Sequence, residues 1–333
     1  MRKKLFLPLF LVMSIWTFGS FWSWLFPSME EGMIVGGKID TVNPVISPDA
    51  HYTLYTYMDG SKNPLVLIDN VKKRKRLFSS TTKSMNMKGT TIFMEPRWDV
   101  NSKEFVYTDV ANMKVIHASL EKVLNELGYE NQKSLMPDIN SGEIIFVSSY
   151  NRLFSLIKWS EGNYEKILSD GKFKIYPRFL NNKVLYIQYN LGETALMIYD
   201  GENAKEISLG KGYQISRIYP CHCGKVLVVA NKDKYREDIF LYNMKKGILK
   251  KLDEDIVGNT VFWLNSDSYG YVKKKNRDTV IIVQENGEKK RKILVKGHPI
   301  EWVSASKKRW IAAAIFDPEN VVTNIFLFKL EDR

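Results

Sequence analysis

Two cysteines flank a histidine at Cys221-His222-Cys223, and no other stretch of the 333-residue chain gathers soft ligands so closely. Two thiolates and an imidazole could hold a soft metal, but a closed zinc site takes four ligands and no fourth is visible in the sequence. In an oxidising compartment the same pair could close a tight disulfide across one residue. A third reading is a turn carrying two small, inert side chains. The other histidines, His51, His117 and His298, are scattered. Neither a Gly-x-Ser-x-Gly elbow nor a His-Glu-x-x-His pair occurs, and no Asp or Glu recurs at equivalent loop positions. The chain therefore offers little for catalysis, and no cofactor is expected.

What must position these residues is a repeat. Residues 172–209 read FKIYPRF, VLYIQY, ALMIYD and AKEISL, separated by NNK, NLGET and GEN. Runs this short, rich in Ile, Val and Tyr and bounded by Gly, Asn and Asp, are strands. The two middle runs are apolar almost throughout, as in strands covered on both faces. The last alternates Glu206 and Ser208 with Ile207 and Leu209, so one of its faces meets water. The second strand of this unit recurs at Thr53, Glu104, Glu143, Lys183, Lys225, Tyr269 and Arg309. Turn formers such as Asn140-Ser141-Gly142 and Cys223-Gly224 precede it. Pro44, Pro96, Pro137, Pro177 and Pro220 punctuate the first strands. A period of roughly 40–50 residues is that of propeller blades. The expectation is an all-β β-propeller of about seven four-stranded blades, with six as the alternative, after an N-terminal hydrophobic helix.

Residues 43–57, NPVISPDAHYTLYTY, resemble the TolB-type, WD40-like (PD40) propeller repeat P-x-x-S-P-D-G, with Ala50 where the repeat has Gly. The likeness covers nearly the whole chain after the N-terminal segment, although later copies keep only the strand and turn pattern. It implies the propeller fold and leaves the role open, because one scaffold hosts many functions.

The last copy supplies three strands, near 300–304, 310–316 and 324–330, and lacks a fourth. Residues 33–44 match the linker between blades at 166–177, so 33–35 are expected to complete the last blade as an orphan outer strand. The alternative is a juxtamembrane linker. Two irregularities stand out. Leu120, Val123, Leu124 and Leu127 fall at helical spacing within 119–132, which predicts a short helix replacing or following the outer strand of the second blade. Residues 79–89 read as a long polar loop.

Arg2, Lys3 and Lys4 precede an uncharged run at 5–26, followed by Pro27, Glu30 and Glu31. About 20 apolar residues span a bilayer. Residues 1–28 are read as a signal-anchor or transmembrane segment, and 29–333 as the propeller. A cleaved signal peptide, cut near Thr17-Phe18-Gly19, would make the protein secreted instead. The flanking charges place the body outside the cytoplasm, in a periplasm or at a cell surface. The absence of Cys here excludes a lipoprotein anchor.

The formal net charge of +12 is clustered at 72–76, 245–251 and 289–292, in or beside outer strands, and at 273–277 between second and third strands. Such runs are either a solvated rim that blocks edge pairing or a surface for polyanions. Nucleic acid is not an expected partner for a body outside the cytoplasm.

Ligand contact in propellers usually comes from loops around one channel mouth, here those joining second to third strands and fourth to the next first. The candidates are Tyr150, Asn151, Arg152, Tyr189, Tyr235, Arg236 and Arg277, because Tyr and Arg combine contact area with donors. The function expected is a non-enzymatic, membrane-anchored module binding a protein or a cell-envelope polymer. The alternatives are an enzyme with a metal or polar site at the channel mouth, and a structural or assembly subunit of a membrane complex. The oligomeric state is not legible.

Overall fold

The computed structural model describes residues 32–58, 63–78, 84–87, 90–151, 153–190, 193–233, 236–275, 278–286 and 289–330; for 84–87, 90–93, 275 and 289–291 it describes the backbone only. The expected segment 1–28 lies outside the described residues. Among those residues no helix is long and apolar enough to cross a membrane.

The described elements are all strands. Seven antiparallel four-stranded units follow one another, each beginning with a strand that abuts its counterparts in neighbouring units. Blade 1 is Thr41–Ile46, Tyr52–Tyr57, Leu65–Asp69 and Lys75–Phe78. Blade 2 is Arg97–Trp98, Glu104–Asp109, Lys114–Ser119 and Val123–Leu127. Blades 3 and 4 begin at Lys133–Asn140 and Phe173–Leu180 and end at Asn163–Leu168 and Ala204–Ile207. Blade 5 begins at Gln214–Cys221. Its outer strand is the first half of Ile248–Trp263, whose second half is the innermost strand of blade 6. Blade 7 contributes Ile300–Ala305, Trp310–Asp317 and Val322–Lys329.

Met33–Val35 pairs antiparallel with Val322–Lys329, so the orphan strand does complete the last blade. Val35 is buried there against Ile325, Tyr55, Val66 and Ile68, and Asp40 accepts a 2.7 Å bond from the Thr323 amide. Strand pairing here removes an edge that would otherwise be open to association.

The core lies mainly between blades. Leu54 and Leu67 meet Phe105 and Tyr107 at the junction of blades 1 and 2, and Val106 meets Ile144 and Phe146 at the next. Comparable apolar clusters occupy the remaining junctions, including blade 7 on blade 1 through Ile46, Ala312 and Leu327. This is why the second and third strands are apolar on both faces while outer strands such as Lys75–Phe78 and Ala204–Ile207 are mostly exposed. Three of the basic runs fall on or beside the outer strands Lys75–Phe78, Ile248–Trp263 and Lys289–Val295, as expected, whereas 273–275 belong to the second strand Tyr269–Lys275 and not to the loop expected there.

Two expectations are corrected. No helix forms in 119–132; Val123–Leu127 is the outer strand of blade 2, in register with Val115–Ala118 across a bulge. Only Leu127 is buried there, while Val123 and Leu124 are exposed, so the helical spacing did not mark a core face. The open edge of Lys114–Ser119 captures the segment instead. Residues 79–89 are not simply a loop, because Ser84–Met87 pairs with Thr90–Phe93 in a separate hairpin. Its second strand approaches the innermost strand of blade 5, across the axis.

The first strands of blades 1, 3 and 4 share a device. Their registers skip two residues, at Asn43-Pro44, Met136-Pro137 and Tyr176-Pro177. Asn43, Met136 and Tyr176 have φ of 56°, 55° and 51°. Proline has no N–H to give the ladder, and a bulge places it where none is required. The bulge also re-aims the residue that follows. In blades 3 and 4 that residue is Asp138 and Arg178, and both turn toward the axis.

Candidate functional site

The ring axis is filled on one side and hollow on the other. On the filled side Met94 packs among Leu135, Met136, Ile175, Tyr176 and Ile218 from blades 3, 4 and 5. Beside it stands a network of charges. Arg97 Nε lies 3.2 Å from Asp138 Oδ1, and its Nη1 is 3.9 Å from Glu95 Oε2. The Phe179 amide donates to Asp138 Oδ2 at 2.8 Å. Burial alone would lower the Arg97 pKa, but Asp138 and Glu95 overcome it and hold the guanidinium firmly charged. Arg178 has no carboxylate of its own among the described residues. Its Nη1 donates to the Pro177 carbonyl at 2.9 Å, and the guanidinium stands 5.5 Å over the Tyr176 ring. Burial first, and then repulsion from Arg97, draw its pKa down to about 10. Arg217 is buried too, but Tyr219, Tyr176, Glu95 and Glu237 more than offset its desolvation and raise its pKa.

The hollow side is a cavity of about 590 Å³. Blades 1, 2, 5, 6 and 7 wall it with Ile46, Trp98, Tyr219, Trp263 and Trp302, and Glu95 and Arg97 close its inner end. Two of the indoles also tie blades together: Trp98 Nε1 donates to the Val45 carbonyl at 2.9 Å, and Trp263 Nε1 to the Tyr219 carbonyl at 2.8 Å. The cavity opens among turns between first and second strands, where His222, Asn265, Ser266 and Lys307 form the rim. That face is here called the lower face. Loops joining second to third strands lie on the upper one.

No protein-family description matches the chain, and no curated protein sequence does. Solved structures do. An oligogalacturonate lyase in complex with manganese superposes with a TM-score of 0.66 at 10% identity, over 90% of this chain and 93% of that one. The β-propeller domain of the Trilobed protease from Pyrococcus furiosus gives 0.62 at 10% identity, over 89% and 97%. TolB from Acinetobacter baumannii gives 0.51 at 13% identity, over 83% and 67%. The chain is a β-propeller. TolB and other WD40-like propellers among its structural neighbours agree with the resemblance drawn from residues 43–57, and at these identities the likeness is one of fold.

On this propeller the residues expected from sequence divide between the two faces. Arg152, Tyr235 and Arg277 lie outside the described residues. Tyr150 and Asn151 form the upper turn of blade 3, with Tyr150 51% exposed and Asn151 at φ 47°. Tyr189, on blade 4, is half-buried against Phe173, ring centroids 5.2 Å apart. Arg236, on blade 5, is exposed and reaches loosely toward Asp233 and Asp255, at 3.9 and 3.8 Å. Each stands on its own blade with its own neighbours.

Cys221, His222 and Cys223 are on the lower face and line the cavity mouth. Cys221 and Cys223 are joined in a disulfide, their Cα atoms 5.1 Å apart, so they do not serve as thiolate ligands. Among the described residues no three His, Cys, Asp or Glu are gathered as a metal would need. The tripeptide thus takes the form of the tight disulfide across one residue that its spacing allowed.

Sequence reasoning missed Glu95, Arg97, Asp138, Arg178 and the tryptophans of the cavity. A signal was present. Arg97, Asp138 and Arg178 each directly follow a proline in, or just before, a first strand, where the bulge or strand start aims the side chain at the axis.

Proposed function

We propose that the protein is a non-enzymatic binding module, tethered through residues 5–26 with its propeller outside the cytoplasm, whose lower mouth receives a protein or cell-envelope polymer. The observation that carries this is the axial cavity. It is concave, walled by aromatic rings held by inter-blade hydrogen bonds, and edged by a few polar groups, the usual composition of a pre-formed ligand site. The upper-face residues Tyr150 and Arg236 keep the alternative of a protein contact on that side.

The test is sedimentation of the full-length protein with isolated cell-envelope material, comparing two variants. His222→Ala/Asn265→Ala/Lys307→Glu alters the lower rim, and Tyr150→Ala/Arg152→Ala/Arg236→Ala alters the upper loops. Loss of at least tenfold in affinity confined to the lower-rim variant is expected. Loss confined to the upper-loop variant would move the working face to the other side of the ring.

A further inference from the structure

The axial cavity does not end at its mouth. Trp263 is shared with a second hollow of about 510 Å³, which runs outward along the lower face between blades 5 and 6. Lys225, Lys250, Tyr269, Gln284 and Asn286 line this groove, and Tyr269 meets Trp263 edge-on at 5.6 Å. The two hollows, adjoining at Trp263, reach from the axis to the outer strand of blade 5 and are taken together here as one cleft.

Three features of the cleft select the chemistry of its occupant. The first is the backbone of its rim. The amides of Cys223, Gly224, Leu264, Asn265, Asp267 and Lys307 are all engaged by groups of the turns themselves or of the adjoining blade. A peptide strand would need such donors for its main chain and would find them taken. The second is the side chains offered instead: indole and phenol rings, and the amides of Asn259, Asn265, Gln284 and Asn286. Flat rings against the C–H faces of sugars, with amides for hydroxyl groups, is the combination that suits a glycan. The third is charge. Arg97, Lys225, Lys250 and Lys307 face two carboxylates, Glu95 and Asp267. Lys225 is held by Asp267 at 2.7 Å and Arg97 by Asp138 and Glu95. Lys250 and Lys307 are exposed and have no carboxylate partner among the described residues. One lies in the outer part of the groove and the other at the axial mouth, so the cleft presents a free positive charge in each of its two parts.

We infer that the cleft binds a carboxylated glycan chain, its sugar rings on Trp263, Tyr269 and Trp302 and its carboxylates on Lys250 and Lys307. This rests on the lower-mouth reading above and names its ligand.

The experiment titrates the full-length protein with size-defined oligosaccharides of alginate and of hyaluronan, with dextran of matched length, and with poly-L-glutamate, following tryptophan fluorescence. A saturable change with at least one uronate series is expected, with none from dextran. Lys250→Gln/Lys307→Gln should weaken uronate binding at least tenfold, and higher salt should weaken it further in the wild type than in the variant. Silence from both uronate series overturns the inference. So does dextran binding as tightly as the uronates, poly-L-glutamate binding as tightly as either, or a double variant that binds like the wild type. If the envelope sedimentation still depends on the lower rim in those cases, the ligand class falls and the role of the mouth stands.

Discussion

Arg97 and Arg178, which differ in their partners, should respond very unequally to removal. Arg97→Met deletes the only cation within 4 Å of Asp138 among the described residues, where the Asp138 side chain is 9% exposed, leaving that carboxylate with the Phe179 amide. Breaking a buried pair by removing one partner costs about 3–5 kcal/mol, because a desolvated charge is left behind. Arg178→Met removes a cation that has no carboxylate of its own. Its descent from 12.5 to about 10 corresponds to roughly 3 kcal/mol spent keeping it charged, at ~1.4 kcal/mol per unit. Against that, the substitution forfeits a charged hydrogen bond to the Pro177 carbonyl, worth about 1.5–3 kcal/mol, and a cation–π contact of roughly 0.5–2 kcal/mol. These terms nearly cancel. Arg178→Met should therefore lie within about 1 kcal/mol of the wild type, since methionine refills most of the space. Urea unfolding at neutral pH, with midpoints compared at unchanged slope, separates the two cases. If Arg178→Met costs as much as Arg97→Met, the cluster is one cooperative network and the account of Arg178 as a tolerated charge fails.

Other substitutions probe the rest of the framework. Val35→Asp places a carboxylate at a position 3% exposed in the strand that completes blade 7, and should cost at least about 3 kcal/mol. Size-exclusion chromatography should also show association through the uncovered edge, and a monomer of unchanged melting temperature would mean the closure is dispensable. Burial alone would raise the pKa of Asp253, but Lys273 and Tyr271, each 2.7 Å away, overcome it and hold it to about 2 against an ordinary 3.8. A depressed carboxylate stabilises above its unfolded pKa and loses that contribution as pH falls through the folded one. The wild type should therefore lose about 2 kcal/mol more than Asp253→Asn between pH 4 and pH 2, read from unfolding midpoints across that window. Gly258→Ala would drive a methyl carbon into the Glu237 carboxylate, which accepts the Gly258 amide at 2.7 Å and the Ser216 hydroxyl at 3.2 Å. Displacing Glu237 should cost about 3 kcal/mol, and a thermal melt indistinguishable from the wild type would show that the bend does not depend on it.

The ring was legible because it is built from local pattern. Turn formers, short apolar runs and a recurring proline repeat at blade spacing, and the missing fourth strand of the last copy pointed to residues 33–35. What misled was one-dimensional amphipathicity. Leu120, Val123, Leu124 and Leu127 have the spacing of a helix face, yet an edge strand with free hydrogen-bonding groups decides the conformation and leaves two of them in water. The site was harder for a different reason. Exposed Tyr and Arg in upper loops are visible in any sequence, whereas the cavity is assembled from short stretches of five blades, none unusual in its own copy. Trp98, Trp263 and Trp302 look like core, and two of them are core on one face. Their other face acquires meaning only when the ring brings them around a common axis.

The continuous strand from Ile248 to Trp263 bears on how the ring can move. At other handovers, such as 208–213 and 296–299, one blade passes to the next through a connecting loop, and such joints flex because few bonds resist a small rotation. Between blades 5 and 6 the handover is itself a strand, pinned at its bend by Glu237 and by the Tyr219 hydroxyl, which donates to the Gly258 carbonyl at 3.0 Å. Elastic breathing of the ring is thereby displaced to joints made of loop. The seam that carries the outer groove keeps a fixed width, behaving as a rigid jaw, so whatever lies along it is met by a surface that does not have to close.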